Sequence, residues 1–308
     1  MKKWILKAIV QKTVSYLPFS NSINYFFQKY VTKGVYLNDD YFFDRLQHAQ
    51  EHLHYYKKHT GIAVPETCLE LGTGWYPVVP ISFFLCGANK TYTVDISMLT
   101  NKARLKTTIN RFIEAYNNNI LQDKLLVINE RYLKLLTIEK NYDNYSFEKI
   151  IAELNIEYLI EDARKLSLKD NSIDLVNSNN TFEHIYPEIL SGILKEFNRI
   201  VKKNKGIQSH FIDMSDHFAH FDKSINIYNF LKFSDSQWQL IDNSIQPQSR
   251  LRYNEYKDLY RQLNIPVSEE SFREGDIKTL NTVNLSEKYK AMPIKEVAIT
   301  HCHLVSVF

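Results

Sequence analysis

The sequence predicts an α/β protein whose core is a doubly wound, mostly parallel sheet. From residue 61 onward, short apolar runs alternate with segments of helical periodicity, which is typical of strands joined by crossover helices. The chain has 308 residues, of which 44% are hydrophobic, including 20 Tyr and 18 Phe, and this is enough for one large core. A disordered chain is therefore excluded.

Strands and crossover helices follow one another in order. Strands are predicted at residues 67–71, 91–94, 156–160, 173–178 and 206–212, and helices at 77–86, 99–116 and 188–201. Two insertions interrupt this pattern, a helical one at about 117–150 and an aromatic one at about 213–252. The second is expected to cover the strand ends as a lid, in which Arg250 and Arg252 are candidates for binding an anionic acceptor group.

Two amphipathic helices precede the sheet, so residues 1–60 are predicted to form a helical cap on a domain spanning 61–308. The first, at 4–17, has its apolar stripe at Leu6, Ile9, Val10, Val14 and Leu17. The second, at 40–58, has its stripe at Phe42, Leu46, Ala49, Leu53 and Tyr56. Because the first helix is basic, two interpretations stay open: docking on the protein's own core, and contact of residues 1–17 with an anionic membrane surface.

Composition and cysteine spacing exclude several classes of protein. Cys68, Cys86 and Cys302 form an odd set without CxxC spacing, which argues against a disulfide framework or a thiolate zinc site and favours a reducing, cytoplasmic compartment. No apolar run is long enough for a spanning helix. The formal net charge of +3 is too balanced to indicate nucleic acid as a partner.

The first chemical motif is CLELGTGWYP, in which a strand ending near Glu70 leads into the turn Gly72-Thr73-Gly74. Such a turn lets a ligand approach the backbone closely, and the helix that follows offers free N–H groups. Asp95 ends the next strand, where a carboxylate can accept both hydroxyl protons of a ribose. The pattern predicts a nucleoside-binding site.

Two further pieces follow in chain order, Asp162-Ala163 after the third strand and Asn179 at the end of the fourth. Together LELGTGW, VDIS, EDARKLSLKDNSIDLVNSNNTFEHI and LKEFNRIVKKNKG resemble the class I S-adenosylmethionine-dependent methyltransferases over about residues 66–215. The resemblance implies S-adenosylmethionine as methyl donor and a Rossmann-like sheet of seven strands, the last one antiparallel. The cofactor-binding residues would be Glu70, Gly72, Thr73, Gly74, Asp95, Ile96, Asp162, Ala163 and Asn179.

The sequence departs from the family pattern at two places. Tyr76 stands where the family commonly has a third glycine, so either the turn is shaped differently or the ring forms part of the pocket. About 60 residues separate Asp95 from the third strand, which is more than the usual single helix.

The acceptor is expected to be a small metabolite or sugar-linked intermediate, methylated on oxygen or nitrogen. Asn179 is not followed by the two prolines expected of a nucleobase amino-methyltransferase, which disfavours nucleic acid. Two alternatives are an NAD-dependent oxidoreductase, whose turn would read GxGxxG, and a non-catalytic nucleoside-binding scaffold.

Histidines and aspartates concentrate in HFIDMSDHFAHFD, at residues 210–222. The prediction is that His210 or His217, with Asp213, supplies a base near the acceptor, and that no metal is bound. A metal site with Asp213 and Asp216 as ligands and a purely structural loop remain the alternatives, and His184 is the next candidate base. The pairs His48/His52 and His301/His303 are expected on exposed faces.

Overall fold

Seven strands form one sheet in this computed structural model, which describes residues 2–16 and 36–308. They are β1 (Thr67–Leu71), β2 (Lys90–Asp95), β3 (Ile156–Ile160), β4 (Leu175–Asn179), β5 (Ile207–Asp213), β6 (Glu269–Arg273) and β7 (His301–Val307). Their order is β3-β2-β1-β4-β5-β7-β6, and β7 runs antiparallel to both of its neighbours. The predicted fold class and the antiparallel last strand are confirmed.

Helices cover both faces of the sheet. The cap region contributes α1 (Lys3–Ser15) and α2 (Asp39–Thr60), and the crossovers contribute α3 (Val78–Cys86), α4 (Lys102–Asn117), α5 (Ile120–Lys124), α6 (Asn129–Lys140), α7 (Phe147–Glu153) and α8 (Pro187–Ile200). After β5 come α9 (His217–Phe221), α10 (Asp235–Ile241), α11 (Tyr253–Gln262), α12 (Ile277–Leu280), α13 (Glu287–Lys290) and α14 (Ile294–Ala298). Short 3₁₀ turns occupy Tyr142–Asn144, Phe182–His184 and Asn229–Lys232.

All five predicted strands are present, and the largest shift is at the start of the fourth. Ile173 makes only an isolated bridge to Val201, so β4 begins at Leu175. Every residue of β4 and β5 is buried because both strands lie in the middle of the sheet with helices on either face. The carboxyl ends of β1, β2, β3 and β4 consequently meet at one edge.

Helix α2 packs against the sheet with the predicted stripe, and its caps explain its bounds. The Asn38 side chain accepts a hydrogen bond from the backbone N–H of Tyr41, and Gly61 ends the helix in the left-handed conformation, with φ of 74°. The exposed positions predicted for His48 and His52 are wrong, because both imidazoles are buried against the sheet.

Helix α1 docks on the segment after β5, and of the predicted stripe Val14 is buried, whereas Leu6 and Ile9 are not. Trp4 and Ala8 are buried in a cluster with Phe218 and Trp238, and the backbone N–H of Trp4 donates to Asp222 at 2.9 Å. Leu6 and Ile9, predicted to face the core, are 52% and 51% exposed, because the large Trp4 indole sets the buried face. Leu17 lies outside the described residues.

No helix in residues 2–16 and 36–308 has the length and hydropathy that crossing a membrane requires.

The segment 213–252 folds as α9, a 3₁₀ turn and α10, and most of its aromatic side chains pack against α1. Arg250 and Arg252 do not present their guanidinium groups to a ligand. Arg250 donates to the carbonyls of Phe230 and Phe233, and Arg252 donates to backbone carbonyls that include Met214. The predicted anion-binding role is therefore wrong for both, because burial requires each guanidinium to be satisfied internally.

Candidate active site

A cavity of about 620 Å³ opens at the carboxyl ends of β1, β2 and β4. One side is formed by the glycine turn after β1, by the residues that follow β2 and β3, and by α2. The other side is formed by the segment 184–186 and by the loop 244–247, which is the part of the predicted lid that reaches the cavity. Ligands in open α/β sheets bind at this edge.

The turn after β1 has a backbone conformation that favours glycine, and at Gly72 there is also no room for a side chain. Gly72 and Gly74 have φ of 74° and 71°, and a Cβ on Gly72 would lie 2.6 Å from Thr181 Oγ1. Tyr76 lines the cavity and meets Tyr41 edge to face, with ring centroids 6.1 Å apart. The ring that replaces the third glycine is thus part of the cavity wall.

Glu70 is buried beneath the turn with both carboxylate oxygens hydrogen-bonded. Thr73 Oγ1 donates to Oε2 at 2.6 Å, and the amide nitrogen of Asn179 donates to Oε1 at 3.2 Å. Burial outweighs these bonds and raises the pKa of Glu70 to about 7. His52 Nε2 in turn donates to the amide oxygen of Asn179 at 2.9 Å, so α2 holds the amide that contacts Glu70.

The acidic residues that follow β2 and β3 have contrasting environments. Asp95 is partly buried, which raises its pKa, and its closest hydrogen bond among the described residues is a long one, 3.5 Å from the backbone N–H of Ser97. It therefore keeps capacity to accept hydrogen bonds from a ligand. Asp162 is exposed and bonded to Arg164, which lowers the pKa of Asp162 to about 2.

The structure brings all nine predicted cofactor-binding residues to this one cavity, Ile96 included, although its side chain is 83% exposed. Their contacts with a cofactor remain a prediction.

Arg45 of α2 also lines the cavity and was missed by sequence reasoning. Its guanidinium lies 5.2 Å from the centre of the Tyr41 ring and within hydrogen-bonding distance of the Asn180 side-chain amide, at 3.1 Å. Coulombic attraction also links Arg45 to Glu70. The sequence offered one indication that Arg45 lies near the sheet: it precedes Leu46, a member of the apolar stripe of α2.

His210 is the predicted catalytic residue that the structure removes from the cavity. Its side chain is fully buried, hydrogen-bonded through Nδ1 to Ser178 Oγ at 2.8 Å and stacked on Phe182. Burial holds the pKa of His210 well below its usual value. A base must reach the acceptor, so the prediction that His210 acts as that base is wrong.

Asp213 and His217 lie together behind the cavity wall. His217 Nε2 is 3.5 Å from one carboxylate oxygen of Asp213, and His301 Nε2 is 3.4 Å from the other. Burial alone would raise the pKa of Asp213, but His217 and His301 hold it well below its usual range. His217 contacts the cavity residue Gln246 at 3.5 Å, and its catalytic role stays a prediction.

Asp216, a candidate metal ligand by sequence, is engaged in hydrogen bonds within the protein. One carboxylate oxygen accepts from the backbone N–H of Phe218 at 2.8 Å and caps α9, and the other accepts from the Asn229 amide at 3.1 Å. Both oxygens are engaged, so Asp216 is a structural cap.

His184 is the histidine that lines the cavity. Its Nδ1 lies 2.7 Å from the carbonyl oxygen of Pro247, which can only accept, so Nδ1 donates and Nε2 keeps a free lone pair. Burial, with a smaller effect of His217, lowers the pKa of His184 to about 4. The ring is therefore neutral near pH 7 and presents an acceptor atom rather than a charge.

A comparison with protein-family models gives one match, to the methyltransferase domain family, over residues 128–207. This range contains β3, β4 and α8, and with them Asp162, Ala163, Asn179 and the turn that carries His184. The glycine turn and Asp95 precede it in the same sheet.

Among solved structures, this chain is similar to a protein from Pyrococcus horikoshii OT3, with 14% identity, a TM-score of 0.49, and coverage of 91% of this chain and 97% of that one. It is also similar to geranyl diphosphate C-methyltransferase from Streptomyces coelicolor A3(2), with 10% identity, a TM-score of 0.44 and coverage of 83% and 78%. A third similar structure is 1,6-didemethyltoxoflavin-N1-methyltransferase from Burkholderia thailandensis, with 10% identity, a TM-score of 0.44 and coverage of 85% and 77%. No curated protein sequence matches this chain.

The side chains of the cavity suit S-adenosylmethionine, the methyl donor that the sequence resemblance implies. Asp95 has acceptor capacity for a ribose diol, and Arg45 places a positive charge at the wall, where it can attract a carboxylate. The left-handed glycines leave the backbone of the turn open to a ligand between them.

Proposed function

We propose that this chain is an S-adenosylmethionine-dependent methyltransferase, and that it transfers the methyl group to an oxygen or nitrogen of a small acceptor bound between the glycine turn and the loop 244–247. S-adenosylmethionine supplies an electrophilic methyl group on a positively charged sulfur. The acceptor's lone pair forms the new bond to the methyl carbon while the carbon–sulfur bond breaks, its electron pair stays on sulfur, and the acceptor loses a proton. Neutral S-adenosylhomocysteine is left.

The observation that carries this proposal is the tautomer of His184. With Nδ1 donating to Pro247, Nε2 is a hydrogen-bond acceptor in a ring that lines the cavity. An acceptor with an O–H or N–H group can donate to this atom, which orients its lone pair and withdraws the proton that must leave. A carbon acceptor would leave this group without a partner.

The size and lining of the cavity support a small acceptor. A volume of about 620 Å³ is in the range of roughly 300–1,000 Å³ that is usual for small-molecule sites. On the side of His184 the wall includes Tyr186, Ile189 and Gln246, which combine apolar contact with a few polar groups. Such a wall selects by shape and one or two hydrogen bonds.

The remaining cavity residues are assigned to the cofactor. Asp95 would accept from the ribose hydroxyls, Arg45 would pair with the methionine carboxylate, and Glu70 would face its ammonium group. Asp162 and Ala163 would border the adenine. In this arrangement the residues of α2 bind the donor, and the segment after β4 binds the acceptor.

The test is transfer of a ¹³C-labelled methyl group to pooled candidate acceptors, with S-adenosylhomocysteine measured as the co-product. The ¹³C chemical shift of the product distinguishes O-, N- and C-methylation. We expect an O- or N-methyl product, and a fall of roughly 100-fold or more in kcat/KM for His184→Ala with unchanged cofactor affinity. His220→Ala, a histidine outside the cavity wall, is the control. A C-methyl product, or binding of the cofactor without turnover on any acceptor, would contradict the proposal.

A further inference from the structure

Three side chains with metal-binding atoms meet where the 3₁₀ turn after β4 approaches α9. One ligand atom each from Glu183, His184 and His217 lies within 4.8 Å of the other two. Around a single ion, ligand atoms at about 2.1 Å from the metal stand roughly 3.4 Å apart, so small side-chain rotations bring the three into coordination. Among the described residues, this is the one such group of His, Cys, Asp or Glu side chains.

The carboxylate of Glu183 is the independent sign that this group binds a ligand. Glu183 is 5% exposed, and neither carboxylate oxygen has a hydrogen-bond partner in the described part of the chain. A buried carboxylate without a partner costs several kcal/mol, and native proteins pair such groups or use them to bind ions. Glu70, which is buried nearby, has a partner on each oxygen by contrast.

The two histidines are oriented as metal ligands usually are. Nδ1 of His184 donates to the Pro247 carbonyl, which fixes the ring and leaves the Nε2 lone pair available. His217 lies beside the Asp213 carboxylate and the Gln246 amide. Backbone carbonyls and carboxylates in this position fix the tautomer and orientation of ligating imidazoles.

We propose that Glu183, His184 and His217 form a binding site for a first-row divalent transition ion such as Zn²⁺, at the acceptor end of the cavity. Two imidazoles and one carboxylate suit such an ion and leave coordination positions open. Mg²⁺ prefers an all-oxygen set and binds poorly to two imidazoles. The ion also supplies the positive charge that the buried Glu183 lacks.

The role of the ion in methyl transfer rests on the proposed function, whereas ion binding itself does not. His184 is the ligand that reaches the cavity wall, so an acceptor oxygen or nitrogen that enters there would complete the coordination. Coordination stabilises the deprotonated acceptor, as it does a metal-bound water. With the ion bound, Nε2 of His184 coordinates the metal instead of accepting a hydrogen bond from the acceptor, and the acceptor's proton leaves to solvent.

The test is direct titration of chelator-treated full-length protein with Zn²⁺, Co²⁺ and Mg²⁺ by calorimetry, with the visible absorption of bound Co²⁺ as a second readout. We expect one Zn²⁺ or Co²⁺ per chain, no comparable Mg²⁺ binding, and a loss of roughly 100-fold or more in Zn²⁺ affinity for Glu183→Gln. Glu188→Gln, an exposed carboxylate on the next helix, and His220→Gln are the matched controls and should keep wild-type affinity.

Thermal unfolding shows whether Glu183→Gln folds. Without metal this variant should match or exceed the wild-type Tm, because an amide of nearly the same size replaces a buried carboxyl group that has no hydrogen-bond partner, and Zn²⁺ should raise only the wild-type Tm. Equal Zn²⁺ binding by wild type and Glu183→Gln would overturn the site. Zn²⁺ binding with methyl transfer unaffected by chelation would retain the site and remove its role in the reaction, and Zn²⁺ binding without any methyl transfer would count against the proposed function alone.

Discussion

The raised pKa of Glu70 predicts that cofactor binding near neutral pH is coupled to proton release. Burial raises its pKa from 4.5 to about 7, so about half of the unliganded molecules carry a protonated Glu70 at pH 7. If the ammonium group of S-adenosylmethionine sits beside this carboxylate, the bound form is ionised. Binding at pH 7 then releases about half a proton, and affinity rises about tenfold from pH 6 to pH 8.

The raised pKa of Glu70 also predicts that folding stability falls with rising pH, whereas cofactor affinity rises. A carboxyl group whose pKa is higher in the folded state contributes stability that is complete below pH 4.5 and is lost as the pH rises through 7. The difference of about 2.5 units corresponds to about 3 kcal/mol, an order-of-magnitude figure. Glu70→Gln should remove this slope from urea unfolding curves and should weaken cofactor binding.

Calorimetry in two buffers of different ionisation enthalpy measures the released protons. Wild type should release protons at pH 7, and Glu70→Gln should release none while remaining folded. Absence of proton release in the wild type, or its persistence in Glu70→Gln, would refute the reasoning and move the linkage to another group.

Three further predictions concern the cofactor side and α1. Asp95→Asn should lower the affinity for S-adenosylmethionine and for adenosine by tens of fold in calorimetric titration. The reason is that two hydrogen bonds to a charged group, worth about 1.5–3 kcal/mol each, are weakened. Arg45→Gln should lower the affinity for S-adenosylmethionine but not for adenosine, which has no carboxylate. Equal losses of affinity for both ligands would exclude the pairing of Arg45 with the methionine carboxylate. Leu6→Gln with Ile9→Gln should leave the Tm unchanged, because both side chains are about half exposed. Low-salt binding to anionic vesicles that these changes abolish would support the membrane alternative, and vesicle binding that they leave unchanged would exclude it.

The sheet and the cofactor side were readable from the sequence because each depends on short-range patterns. A strand–glycine–helix junction such as Leu71–Gly74 is local, and parallel strands bring their carboxyl ends to one edge whatever the rest of the chain does. Nine residues chosen on this reasoning line one cavity.

The acceptor side could not be read in the same way, because it is assembled by long-range contacts. His184 is fixed by Pro247, a residue 63 positions away that belongs to an irregular loop. Hydropathy also does not predict whether a histidine is buried or exposed. His52 looked like a surface residue on a helical wheel, yet it is buried because Ser209 and Asn179 satisfy both of its ring nitrogens. His210 bonds through Nδ1 to Ser178 and stacks on Phe182 inside the sheet, so its burial could not be seen from its position in a histidine-rich segment.

The boundary predicted at residue 60 separates α2 from the sheet, although the two are in extensive contact. Helix α2 buries Phe42, Leu46, Ala49 and Tyr56 against the rest of the chain, and His52 bonds to two strands of the sheet. The three large side chains alone contribute about 1.5–3 kcal/mol each, which is comparable to the whole stability of roughly 5–15 kcal/mol of a typical domain. A fragment of residues 61–308 should therefore fail to unfold cooperatively, whereas adding residues 36–60 as a separate peptide should restore a transition and cofactor binding together. A fragment 61–308 that unfolds cooperatively and binds S-adenosylmethionine with full affinity would show that α2 is a separable cap, and that Arg45 and His52 do not contribute to the site.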